Sequence, residues 1–150
     1  MSAQPQTAQL SQQLVVFSLG AEEYALPITQ VQEIIRFTEP RAVASDAPWI
    51  RGVISLRGKI VPVCDLAARL GLPAERADHA KIVIVETVTG TAGVIVDDVE
   101  EVLTVDAAQL DSVPAAGAEF IEAIAKIDQR LVVLLNPDGI FSGLDLQLAA

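Results

Sequence analysis

The chain has 150 residues, a net charge of −10 and 51% apolar content, which is one ordinary domain's length with enough apolar surface to build a core. Apolar runs such as LVVF, IVIV and LVVLL fall far short of the ~18 residues a bilayer span needs, and MSAQPQTAQLSQQ lacks the basic start and apolar centre of a secretory leader, so a soluble, cytoplasmic protein without direct membrane insertion is expected. With 4% aromatic residues and an acidic balance, nucleic acid is not an expected partner.

Residues 1 to 11 are Gln-rich and aperiodic, which reads as a disordered lead. LVVFSLG and EEYALPI read as two strands joined through Gly20-Ala21-Glu22. In ITQVQEIIRF the apolar residues Ile28, Val31, Ile34 and Ile35 allow either a short helix or an extended segment. GVISLRGKIVPVCDL, residues 52 to 66, reads as a hairpin with Arg57-Gly58-Lys59 at its tip. AARLG after Asp65 reads as one or two helical turns stopped by Gly71 and Pro73. Trp49, in APWIRG just before that hairpin, reads as a packing anchor, and GTAG at 90 to 93 reads as a hairpin turn. Cys64 cannot form an internal disulfide, being the only cysteine, and its apolar run marks it as a small buried hydrophobe.

The second half repeats the first. A shift of 68 residues lays LVVF on IVIV (82 to 85) and VQEII on VEEVL (99 to 103); a shift of 71 lays GVISLRGKIVPVCDL on AIAKIDQRLVVLLNP (123 to 137). Two copies of a strand-rich unit, approximately 14–76 and 80–142, point to two small β-barrels packed together, with exchange of strands between them left open. The copies differ at the hairpin tip, where Arg57-Gly58-Lys59 meets Asp128-Gln129-Arg130. Charge of one sign is thus not a requirement of the turn, and Arg57 has two open roles, a solvated turn residue or a partner contact. Residues 36 to 76 hold seven basic side chains against four acidic ones, a local +3 in a chain of net −10, which suggests one face that meets an acidic partner.

Nothing in the chain assembles a catalytic or metal site. His79 is the sole histidine, Cys64 lacks an electropositive, accessible setting, and Asp97, Asp98, Glu100 and Glu101 lack the alternating ligands and central glycine of a calcium loop. No enzymatic activity, cofactor or metal is expected.

FSLGAEEYALPITQVQEII, APWIRGVISLRGKIVPVCDLAARLGL, KIVIVE, GVIVDDVEEVLTV and LVVLLNPDGIF, taken in that order over about residues 14 to 142, resemble the CheW family, the coupling proteins of bacterial chemotaxis. The family pattern has Asn-Leu-Arg-Gly where this chain has Ser55-Leu56-Arg57-Gly58. The resemblance implies a mainly all-β fold, two SH3-like five-stranded β-barrels packed together with short helices, here over residues 12–150. It implies an adaptor joining the cytoplasmic hairpin of a chemoreceptor to the regulatory domain of the chemotaxis histidine kinase at membrane-associated receptor arrays. By the same resemblance the receptor lies between the barrels against Val31, Glu33, Ile34 and Arg57, and the kinase meets mainly one end of the first barrel, with its contact residues unassigned. Plain barrel core is the other role open to Val31 and Ile34. A scaffold of another chemosensory pathway, such as twitching or gliding, or a regulatory module of a larger kinase, is the alternative. The unpatterned start and the short run beyond LVVLLNPDGIFSG favour a free-standing protein.

Overall fold

The computed structural model describes residues 11–44, 47–73, 79–112 and 119–142; residues 1–10 of the expected lead lie outside them. Eleven strands are described: β1 (Gln12–Leu19), β2 (Glu22–Pro27), β3 (Val31–Arg36), β4 (Ile50–Leu56), β5 (Lys59–Asp65), β6 (Lys81–Thr87), β7 (Gly90–Val96), β8 (Asp98–Val105), β9 (Leu110–Asp111), β10 (Ile121–Ile127) and β11 (Arg130–Leu135). They form two sheets, ordered β8-β1-β2-β11-β10-β9 and β3-β6-β7-β5-β4, and the fold is two SH3-like β-domains with a few short helical turns. The two-residue β9 makes one sheet six-stranded.

Neither sheet is built from one contiguous half of the chain. The hairpin β1–β2 joins β8 and β11, while β6–β7 joins β3 and β5. Each copy of the repeat therefore lends its first hairpin to the other copy's domain. Chain connectivity explains the exchange. Only Asp97 separates β7 from β8, and one residue is fewer than the two that a tight reversal needs, so the chain must run on into the other sheet. Between β2 and β3 the link is the 3-10 turn Ile28–Gln30.

Three apolar clusters follow. Leu14, Val16, Ala125, Val132 and Leu134 fill the six-stranded domain, and Ile54, Val61, Val63, Ile82 and Ile84 fill the five-stranded one. The third, including Phe17, Leu26, Leu66, Val83, Val94, Leu135, Ile140 and Phe141, draws on both sheets and occupies their junction. Cys64 lies within it with no exposure, and burial pushes its thiol well up, so it behaves as a hydrophobe. Trp49 also packs there, its ring 6.0 Å from that of Phe141.

Two local readings need correction or completion. GTAG is not a turn: it opens β7, and the β6–β7 reversal is Val88-Thr89. Gly93 is needed for space, since a Cβ there would stand 2.8 Å from Cγ2 of Ile82. VQEII is extended, with half-buried and exposed positions alternating along β3, because pairing with β6 rewards period two over the helical alternative. The turns after Asp65 form as the helix Leu66–Arg69, with the Asp65 carboxylate accepting from the Ala68 amide. Asn136 does the same for Asp138 at the helix Pro137–Ile140, the matching place in the other copy.

Candidate functional site

β3 and the β4–β5 hairpin bring Glu33 and Arg57 together. Leu56 pairs with Lys59, so Arg57 and Gly58 alone form the loop, at φ of 52° and 81°. Glycine adopts that left-handed geometry freely; an arginine does so against a cost of ~1–2 kcal/mol. From there the guanidinium grips Glu33 at both carboxylate oxygens, with Nη2 donating to Oε1 at 2.8 Å and Nη1 donating to Oε2. The hydrogen bond from Arg57 holds the Glu33 carboxyl below the usual range, against a smaller upward push from desolvation. The same bond raises Arg57. The Arg57 side chain is nevertheless 71% exposed while that of Glu33 is 24% exposed. A bidentate pair uses two of the five guanidinium donors, leaving three for other acceptors.

A bulge between Val31 and Glu33 sets the aim of these side chains. Val31 is partly buried against the central cluster at the domain junction, whereas Ile34 is 40% exposed. The structure thus gathers Val31, Glu33 and Ile34 along one strand and joins Arg57 to that strand through Glu33. All four belong to the five-stranded domain.

The other copy provides an internal comparison. Glu101 stands where Glu33 does and carries the same bulge beside it, but Asp128 replaces Arg57, at φ of 56°. Its cation comes instead from Arg130, which binds Glu101 at 2.7 Å and Glu23 through Nε and Nη2 at 3.1 and 3.0 Å. These bonds raise Arg130. Glu23 has its counterpart in Thr91, so Arg57 has only one carboxylate where Arg130 has two. The sequence overlay already placed VQEII on VEEVL; what it missed was that both carboxylates are ion-paired, Glu33 to an arginine with one acidic partner and Glu101 to an arginine with two.

Several of the other groups singled out in the sequence have structural partners. Asp97 accepts the Gly20 amide at 2.6 Å, Asp98 lies 3.5 Å from Lys81 and 3.4 Å from His79, and Phe17 stacks on Tyr24 in the core at 6.2 Å. Among the described residues no three His, Cys, Asp or Glu side chains gather as a metal site, and no helix is long and apolar enough to cross a membrane.

A family model described as the CheW-like domain matches residues 13–145. The chain is 34% identical over 134 residues to the chemotaxis protein CheW of Bacillus subtilis, covering 86% of each. It is 29% identical over 144 residues to the chemotaxis protein CheW of Klebsiella aerogenes, covering 93% of this chain and 87% of that one. Among solved structures, the scaffolding protein TtCheW of Thermoanaerobacter tengcongensis superposes with a TM-score of 0.84 at 33% identity, over 92% of this chain and 99% of that chain. With its paired SH3-like domains and these matches along nearly its whole length, the chain belongs to the CheW family of chemotaxis scaffold proteins.

Proposed function

We propose that this chain is a non-catalytic adaptor that couples the cytoplasmic hairpin of a chemoreceptor to the regulatory domain of a sensor histidine kinase, in the cytoplasm at receptor arrays. Val31, Glu33, Ile34 and Arg57 form the receptor contact in this reading. The observation that carries it is Arg57, a guanidinium fixed by Glu33, 71% exposed and set at a backbone position that arginine occupies at a cost. Ile34 supplies exposed apolar surface for a helix, and Arg57 supplies donors that fix its register. Contacts of this size fit micromolar binding, about −8 kcal/mol each. Binding receptor and kinase at once raises their effective concentration, so a ternary assembly holds while each pair still exchanges.

Pull-down by a soluble receptor fragment, run beside thermal unfolding, tests the reading. Arg57→Glu should remain folded, with an unfolding midpoint lowered no further than in Arg57→Ala plus the repulsion from Glu33, and lose most receptor binding, while kinase-domain binding persists. Undiminished receptor binding by the folded variant removes Arg57 from the site.

A further inference from the structure

We propose that a cleft beside this site, between β3 and β4, docks a carboxylate-bearing helical face of the receptor, with Arg36 and Arg41 as the groups that read it. The inference rests on the receptor-coupling function proposed above. The cleft, of about 480 Å³, is lined by Ile35 and Arg36 of β3, by Thr38, Glu39 and Arg41 of the following segment, and by Val53 to Leu56 of β4. Ile35 and Leu56 pack on the core of the five-stranded domain, so the floor is apolar. Strand addition is closed off at Val53, because Arg41 already bridges it with two backbone hydrogen bonds of 2.8 and 2.9 Å. Gly52 permits this approach, since a Cβ there would overlap the Arg41 carbonyl. An occupant at that point must therefore bind through side chains.

Charge decides what kind. Glu39 is engaged by Arg51 at 3.0 Å, and among the described residues the side chains of Arg36 and Arg41 make no ion pair or hydrogen bond. The repeat supplies the control. In the six-stranded domain the bridge equivalent to Arg41–Val53 is Asp111–Ile124 of β9 and β10, and there Asp111 is neutralised by Lys126 at 2.8 Å. Lys126 stands where the first copy has Ser55, and Thr104 stands where it has Arg36. The same seam is thus self-compensated in one domain and left with two unmatched guanidinium groups in the other, over an apolar floor. Acidic side chains flanked by apolar ones on a partner helix complete it. Ile35 and Arg36 follow Ile34, and Leu56 precedes Arg57, so the cleft continues the receptor surface.

The test is titration of the full chain with a soluble cytoplasmic fragment of a chemoreceptor from the same organism and, separately, with the kinase regulatory domain. Arg36→Glu with Arg41→Glu should weaken receptor binding by about tenfold or more and flatten its salt dependence, leaving kinase-domain affinity within about twofold. Arg36→Lys with Arg41→Lys should retain most receptor affinity, and Arg36→Gln with Arg41→Gln, which adds no repulsion, should fall between. Receptor affinity unchanged in the folded reversal and glutamine pairs, or a loss falling on the kinase domain instead, overturns the cleft. If Arg57→Glu abolishes receptor binding and the reversal pair does not, the coupling function stands and the cleft alone fails. A wild-type chain that binds no receptor fragment overturns both.

Discussion

At the scale of single residues, the Arg57–Glu33 pair determines how this surface responds to pH. Glu33 is held below the usual carboxylate range chiefly by its bond to Arg57, so the pairing contributes fully above the ordinary carboxylate pKa and is lost as pH falls through the lowered value in the folded protein. An NMR titration of the Glu33 side chain should therefore show a midpoint below that of a free glutamate, moving up to the ordinary range in Arg57→Ala. The stability difference between wild type and Arg57→Ala should shrink as pH drops below about 4. A midpoint indifferent to Arg57→Ala would mean that the two side chains do not pair in solution. The type of residue at position 57 was legible as a departure between the repeats. Its partner was not, because Glu33 and Arg57 lie 24 positions apart and meet only once β3 and the β4–β5 hairpin are folded into one domain.

At the scale of strands and turns, the repeat explains which positions tolerate change. Gly93 in β7 matches Ala25 in β2, which is fully buried and carries its Cβ without conflict. The neighbour differs: Ile82 places its Cγ2 2.8 Å from where a Cβ on Gly93 would stand, whereas the matching residue is Leu14, which has no branch at Cβ. Gly93→Ala should then destabilise the protein by about 1–3 kcal/mol through overpacking. Adding Ile82→Leu should recover a good part of the loss, as read from denaturant midpoints of the single and double variants. A Gly93→Ala protein as stable as wild type would show that β6 and β7 shift apart without cost. β-Branched runs made most strands legible, as with the continuous and fully buried IVIV. GTAG was misread because glycine signals a turn in sequence, and only the packed Ile82 shows that here it signals a lack of room.

Across the whole molecule, the two domains are held as one body. Arg69, from the helix that follows β5, lies over Trp49 at 4.6 Å and Phe120 at 4.9 Å and donates from Nε to the Ile140 carbonyl at 2.9 Å. Val88 at the β6–β7 turn donates its amide to Asp138 at 2.8 Å. Arg69→Ala removes the stacked guanidinium and leaves the partly buried carbonyl unmet, a loss of about 1–3 kcal/mol, read as a fall in thermal midpoint of roughly 2–4 °C per kcal/mol for a chain of this size. Arg69→Met, which keeps the apolar stem, should recover part of it. The reciprocal exchange of hairpins also makes each half dependent on the other. Fragments 1–76 and 77–150 should each lack cooperative unfolding when prepared alone and regain it when mixed, monitored by near-UV circular dichroism. A half that unfolds cooperatively by itself would show that its own first hairpin can close its barrel.

The amino-acid sequence determined the class of structure: strand-length apolar runs, an internal repeat in their pattern and turn residues in register point to two small β-domains whatever the chain does at longer range. The repeat also left one matter open, namely which set of partner strands each of the two similar hairpins joins. Tertiary structure resolved it through the one-residue link at Asp97, which is too short to turn the chain back. The same holds for the surface. Arg36, Arg41 and Arg57 are visible as a basic stretch in an acidic chain, but which cations are neutralised depends on what strand register sets beside them: the equivalent seams place Lys126 next to Asp111 in one domain and, among the described residues, leave Arg36 and Arg41 without such a partner in the other.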